Sequence, residues 1–372
     1  MPRRAFPLVV FLSTACQPAA TSEWETAGGG DSTLTHVATI RTTEGEIEAG
    51  YLLGDSAVLV RLHDEHLFVF RRTDSSRTRI GRRGAGPGEF RQLVWSQPGP
   101  ESTLLAYDHA NRRLTVFSAE GEVRDIRGLP SIGGTPVPLG AFEDGTLLVL
   151  RNMLPSPPRG VRGVVTDSSN LLFLSTSGEV RGPTLRVPMR TLFLAGDASN
   201  RTIGVPLGPR TEIAVTSSGF YMGHSGSPTI GFYDATGILQ TEFTLHELPL
   251  PVPSREAARL REAGMNRRGS LGLDFTELYR DTPIPDTYPW FGGLVGDHSG
   301  RVWVKAFPAE ESMPVIWTLY GAQGARVRSV ALPPGSRLLD ASETELLIVA
   351  DLPDGDEVLQ ILRVAPPARE PT

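Results

Sequence analysis

Short apolar runs of four to six residues, separated by polar turns, recur along the chain from Leu34 onward. One set reads Leu67-Phe68-Val69-Phe70, Leu114-Thr115-Val116-Phe117, Leu171-Leu172-Phe173-Leu174, Ile230-Gly231-Phe232-Tyr233, Val315-Ile316-Trp317-Thr318 and Val358-Leu359-Gln360-Ile361-Leu362. In front of these runs stand partner segments such as 57–62, 103–107, 219–223, 301–306 and 345–350. Runs this short, rich in branched and aromatic residues, predict β-strands. Turn glycines follow four of the six runs, at Gly121, Gly178, Gly237 and Gly324. Helix formers cluster only at Ser254 to Ala263, behind a serine cap and ahead of Gly264, a pattern that predicts one short helix. Asp274-Phe275-Thr276-Glu277 adds a capping-box pattern and a second turn of helix.

The repeat sets the architecture. Gly121 to Gly178 is 57 residues and Gly178 to Gly237 is 59, slightly above the common blade length of about 40–50 residues. Six copies fit, with Leu34 to Ile40 left over at the front. The expectation is an all-β, six-bladed β-propeller of four-stranded antiparallel blades over residues 34–366. The leftover strand then completes the last blade, which removes open sheet edges. The 87 residues from Gly237 to Gly324 place a short helical insertion, about 246–292, in blade five. A β-sandwich is the rival, because strands and turns alone do not separate the two.

One stretch carries a tighter signature. Gly81-Arg82-Arg83-Gly84-Ala85-Gly86-Pro87-Gly88-Glu89-Phe90 is followed by Asp108-His109-Ala110-Asn111-Arg112-Arg113-Leu114-Thr115-Val116-Phe117 and Gly121. This resembles one blade of an NHL-type propeller, and in particular the bacterial six-bladed propeller lipoproteins that carry G-x-G-P-G-E-F. The resemblance implies structural roles for Gly84, Gly86, Pro87, Gly88 and Phe90. The glycines supply positive φ where the chain crosses between blades, and Phe90 wedges between two sheets. Asp108 and Asn111 suit the hairpin turn that aims the next strand.

The N-terminus reads as an export signal over residues 1–15. Arg3 and Arg4 precede an apolar stretch, and Ser13-Thr14-Ala15 are the small residues of a cleavage site. Cys16, the single cysteine, follows directly, in an order that resembles a bacterial lipobox with its leucine four places ahead. The expectation is lipidation at Cys16, membrane attachment through it, and a flexible tether over residues 16–33. Gln17 points to outer-membrane placement facing the periplasm, and Arg3-Arg4 echoes a twin-arginine signal. One cysteine makes no intrachain disulfide. Removing residues 1–15 leaves 34 basic against 42 acidic residues, a net charge of −8. That balance argues against nucleic acid, whose binding rests on phosphate neutralisation. Residues 367–372 read as a disordered tail.

Candidate chemistry is sparse. Tyr279, Tyr288, Trp290 and Phe291 in the insertion are spaced to form a binding cluster, or to pack the helix onto blade five. The seven histidines include His63-Asp64-Glu65-His66, which reads as a hairpin turn, and no H-E-x-x-H occurs. Gly223-His224-Ser225-Gly226-Ser227 lies between strands, not before a helix, so it is no nucleophile elbow. Gluconolactonase-like propellers carry an early E-G-P, whereas Glu44-Gly45-Glu46 lacks the proline. No catalytic residue, metal ligand or cofactor is assigned, calcium being the one ion such a channel would hold. The expected function is non-catalytic binding of a protein, peptide or glycan. The alternative is a metal-dependent hydrolase or lyase acting in the central channel.

Overall fold

The middle strands of the sheets, such as Ala57–Leu62, Leu104–Asp108 and Glu345–Asp351, are buried on both faces, which is why they read as unbroken apolar runs rather than alternating ones. The computed structural model describes residues 30–365, apart from 43–44, 64–65, 75, 133, 153–159, 197–200, 267–274, 309, 311 and 353–354. The export signal, Cys16, most of the tether, Asp64, Glu65, Asp274 and the tail lie outside the described residues.

Among the described residues the strands form five four-stranded sheets, one five-stranded sheet and a two-stranded pair. Sheet one holds Ile47–Leu53, Ala57–Leu62, His66–Arg71 and Arg77–Ile80. Sheet two holds Leu93–Pro98, Leu104–Asp108, Arg113–Phe117 and Val123–Gly128. Sheet three runs Thr135–Ala141, Leu147–Asn152, Arg162–Leu174, Val180–Ala195 and Thr202–Gly204. Sheet four is Thr211–Val215, Gly219–His224, Thr229–Asp234 and Leu239–Thr244. Sheet five is Gly293–Gly296, Val302–Lys305, Val315–Tyr320 and Arg326–Leu332. Sheet six takes Arg337–Ala341, Glu345–Asp351 and Glu357–Val364, and borrows Leu34–Arg41 as its outermost strand.

The six apolar runs singled out above are each the third strand of a sheet. The leftover strand pairs antiparallel with the last one, from Leu34 opposite Val364 to Arg41 opposite Val358. First strands touch first strands in a ring: sheets one, two, three, four, five, six and back to one. The chain is an all-β propeller with a channel along the ring axis.

The core sits between neighbouring sheets. Leu59, Val69, Phe90, Leu104 and Phe117 pack sheet one on sheet two, and Trp303, Trp317, Leu346 and Leu362 pack sheet five on sheet six. Each such side chain taken fully out of water contributes about 1.5–3 kcal/mol. The seam between sheets six and one is also ionic. Glu345, 4 % exposed, receives Arg72 at 2.8 and 3.0 Å and Arg363 at 3.2 Å. Burial alone would raise the Glu345 carboxyl, but the two guanidinium groups outweigh it and hold it below the usual range.

Three expectations need correcting. Sheet three has a fifth strand, because its third and fourth strands form a 13- and 16-residue ribbon that outruns the sheet and pairs with Thr202–Gly204. The helices α1 (Ser254–Asn266) and α2 (Thr276–Asp281) lie between sheets four and five in sequence, but α2 packs on sheet three. Leu278, Phe275 and Tyr279 supply its apolar side, against Phe193, Ala195 and Ile203. Gly264 does not end α1. It is buried within the helix, where a Cβ would collide with the Tyr279 ring, so the glycine is a packing notch.

Candidate functional site

The innermost strand of each sheet ends in a hairpin, and these hairpins surround one mouth of the channel. The cavity there is about 520 Å³ and draws lining residues from all six innermost strands. Toward the channel interior it is walled by Leu139, Ile213, Val295 and Leu339, four apolar side chains from four different sheets. Polar groups belong mostly to the hairpins: Glu143, Thr216, Ser217, Asp297 and His298, with Gln97, Tyr51 and Asp340 from strands.

Neighbouring sheets are stitched together at this mouth. Gln97 of sheet two donates Nε2–H to the Ala141 carbonyl at 3.3 Å and accepts the Ala141 N–H at 3.1 Å. Glu143 N–H donates to Ser217 O across sheets three and four at 2.9 Å, and His298 N–H to Ala341 O across sheets five and six at 3.0 Å. Asp340 of sheet six accepts the Leu52 N–H of sheet one at 2.7 Å and faces His298 Nε2 of sheet five at 3.0 Å. An ionised carboxylate only accepts, so that His298 nitrogen donates. These cross-links fix the rim before any ligand arrives, which lowers the ordering cost of binding.

Electrostatics follow from the same contacts. The bond to Asp340 raises the His298 imidazole above its ordinary value, against the opposing effect of burial. Burial, helped by the Asp340 charge, pushes the Tyr51 phenol up to about 12, so it stays protonated. Asp297 is neutralised locally: its carboxylate accepts Ser299 N–H, Arg301 N–H and Arg301 Nε–H at 2.9, 2.8 and 2.7 Å. Among the described residues no three His, Cys, Asp or Glu side chains converge as a metal-binding group.

The residues flagged from sequence lie elsewhere. Phe291 is 1 % exposed in the core between sheets four and five, with Trp290 half-buried beside it. Tyr288 is buried and stacks on Phe307 at 5.0 Å, and Tyr279 is half-buried against α1. The four aromatics therefore divide among three packing sites instead of forming one cluster. No described residue of the insertion lines the mouth: the insertion runs into the start of Gly293–Gly296, and sheet five lines the mouth from Leu294 to His298. The insertion joins sheet five at the other end of its innermost strand.

The glycine-rich crossover is held from several sides. Gly84 and Gly88 have φ of +156° and +70°, while Gly86 does not enter the left-handed region. Glu89 accepts the Gly86 N–H at 2.7 Å, and Arg113 donates to the Ala85 and Gly86 carbonyls at 3.0 and 2.6 Å. Pro87 forms the turn between them, and Phe90 is fully buried, 5.9 Å from Phe117 ring to ring. Asp108, also fully buried, accepts Arg91 N–H at 2.9 Å and Asn111 Nδ2–H at 2.6 Å. Sequence reasoning missed Asp340, Glu143 and Tyr51, which belong to no motif.

Among solved structures, a putative exported protein from Bacteroides fragilis is similar at 12 % identity, covering 92 % of this chain and 98 % of its own, with TM-score 0.53. A member of the DUF4221 family from Bacteroides vulgatus is similar at 10 % identity, covering 90 % and 99 %, with TM-score 0.54. Virginiamycin B lyase from Staphylococcus aureus is more distant, at 9 % identity, 89 % and 100 % coverage and TM-score 0.44. No protein-family model and no curated protein matches the chain. Likeness at these identities shows the propeller fold alone. Among the described residues no helix is long and apolar enough to cross a membrane.

Proposed function

We propose that the chain is a six-bladed, NHL-like propeller, exported and lipid-anchored at Cys16 in the cell envelope, outer membrane facing the periplasm, acting as a binding module. Six blades are supported by the ring of first strands and by Leu34–Arg41 completing sheet six. The export and anchor reading rests on residues 1–17 of the sequence. Binding rests on one observation: a preorganised cavity of about 520 Å³, rimmed by hairpins and lined by apolar side chains of the innermost strands. A pocket of that size takes a small molecule or one side chain of a larger partner.

The direct test blocks the mouth from outside. Ser217 is exposed on its hairpin, so Ser217→Trp fills the opening without disturbing the core. Thermal-shift screening with peptides and glycans of the cell envelope should give ligands that stabilise the wild type and not this variant. Equal shifts in both would end the reading.

The alternative, hydrolase or lyase chemistry in the same channel, is favoured by one pair. His298 is held by Asp340 through one ring nitrogen, the arrangement of a base and its orienting group. Turnover of a bound ligand, abolished by His298→Ala with binding retained, would favour that reading over the module.

A further inference from the structure

Asp340 is 5 % exposed and lines the mouth. Its Oδ2 takes both available donors, Leu52 N–H and His298 Nε2–H, and its Oδ1 has no hydrogen-bond partner among the described residues. Asp340 lines the cavity, so an oxygen without an internal donor can accept from a group that enters there. Among the described residues Glu143 stands exposed on the rim with no side-chain partner, and the lining includes no Lys or Arg. Among the described lining residues His298 alone can carry positive charge, and it is already committed to Asp340.

A second cavity continues the first. A groove of about 950 Å³ runs outward between the hairpins of sheets one and two, sharing Pro98 and Gly99 with the mouth. Leu53, Val69 and Leu104 give it apolar wall, and Arg71 and Glu120 stand along it. The hairpin that borders both cavities holds Glu101 and Ser102 at φ +54° and +59°, two successive non-glycine residues in the left-handed region. Strain of this kind persists where surrounding structure enforces it, commonly beside ligand clamps.

Resting on the binding-module reading above, we propose that the ligand is an extended peptide that places a lysine or arginine side chain in the mouth beside Asp340 and Glu143. Its backbone lies in the groove between sheets one and two. The ammonium or guanidinium supplies the missing donors to Asp340 Oδ1, and Glu143 attracts it at the rim. Ala141, Val215 and Leu339 face the methylene stem, which is apolar.

The probe is a fluorescein-labelled peptide, Ala-Val-Arg-Val-Ala, titrated into the purified protein by anisotropy, beside the same peptide with uncharged citrulline for arginine. The arginine peptide should bind at least about tenfold more tightly, and Glu143→Lys and Asp340→Asn should each cost about tenfold or more. Glu143 is exposed, so its variant decides the matter where Asp340→Asn fails to fold. Acetyl-arginine amide should compete far more weakly than the unlabelled peptide; equal competition would overturn the peptide and leave a small amine as the ligand. Equal binding of the citrulline peptide, unaffected by Glu143→Lys, would overturn the cation. In that event, blockage of the citrulline peptide by Ser217→Trp would leave the mouth standing as a binding site, and no blockage would sink both.

Discussion

The two ends of the innermost strands are built differently. At the crossover end, before each first strand, lie the glycine-rich loop and the helical insertion, and their aromatic residues are buried or half-buried in packing. Phe90 and Phe291 are 0 % and 1 % exposed, and both fill the space between sheets. At the hairpin end, after each first strand, the residues are short, polar and unremarkable in sequence, yet they enclose the cavity. A propeller needs apolar wedges wherever the chain passes from one sheet to the next, so aromatics collect there for packing. The opposite end closes each hairpin within one sheet, and its side chains line the cavity. The motifs of the crossover end mark structure in this molecule, and Asp340, Glu143 and Tyr51 of the candidate site belong to no motif.

The sharpest way to break that contrast is Phe291→Ala. Emptying a fully buried aromatic site should cost about 3–5 kcal/mol, visible as a lowered denaturation midpoint, with peptide affinity unchanged in the folded fraction. A variant that stays stable but loses binding would put the site back at the insertion.

Gly88→Val probes the same end at smaller scale. With φ at +70° and a Cβ meeting Val123, the variant should lose about 1–3 kcal/mol. Gly86→Ala, outside the left-handed region, should change stability by less than about 0.5 kcal/mol. Equal losses at the two glycines would show that φ is not what selects them.

Ser217→Trp tests the hairpin end, where stability should move by less than about 0.5 kcal/mol while ligand binding is lost. A large stability loss would mean that the hairpins, too, are packing elements. The smallest expected effect concerns pH. Because His298 has a raised value in the fold, its pair with Asp340 contributes fully below pH of about 6.5 and is lost as pH rises through the raised value. Its imidazole is partly solvent-screened, so the contribution should stay below about 1 kcal/mol and vanish in His298→Ala. Chemical denaturation of both proteins between pH 5 and about 9 measures it; parallel curves would remove the pair from the account.

Much of this fold was legible because it is local. Apolar runs such as Leu114 to Phe117 are strands by composition, and the glycine turns punctuate them at blade spacing. The fifth strand of sheet three escaped notice because Thr202–Gly204 is three residues long and pairs only with a ribbon extending past its sheet. Gly264 misled for a similar reason: a glycine after helix formers reads as a stop unless the Tyr279 ring that occupies its empty side is already known.

The site was not legible at all. Asp340 matters because it accepts from Leu52, 288 residues earlier in the chain, while meeting His298 on a third sheet. Nothing near Asp340 in sequence marks it. By itself the sequence determined which segments are strands and how often they recur, since each follows from side chains within a few residues of one another; the count of repeats then left the first strand over for the last sheet, where it pairs. Closing the ring decided the rest: which end is open, which aromatics are hidden, and which carboxylate is left with an unpaired oxygen. Those properties depend on where six separate strands converge, and convergence is set by packing between sheets.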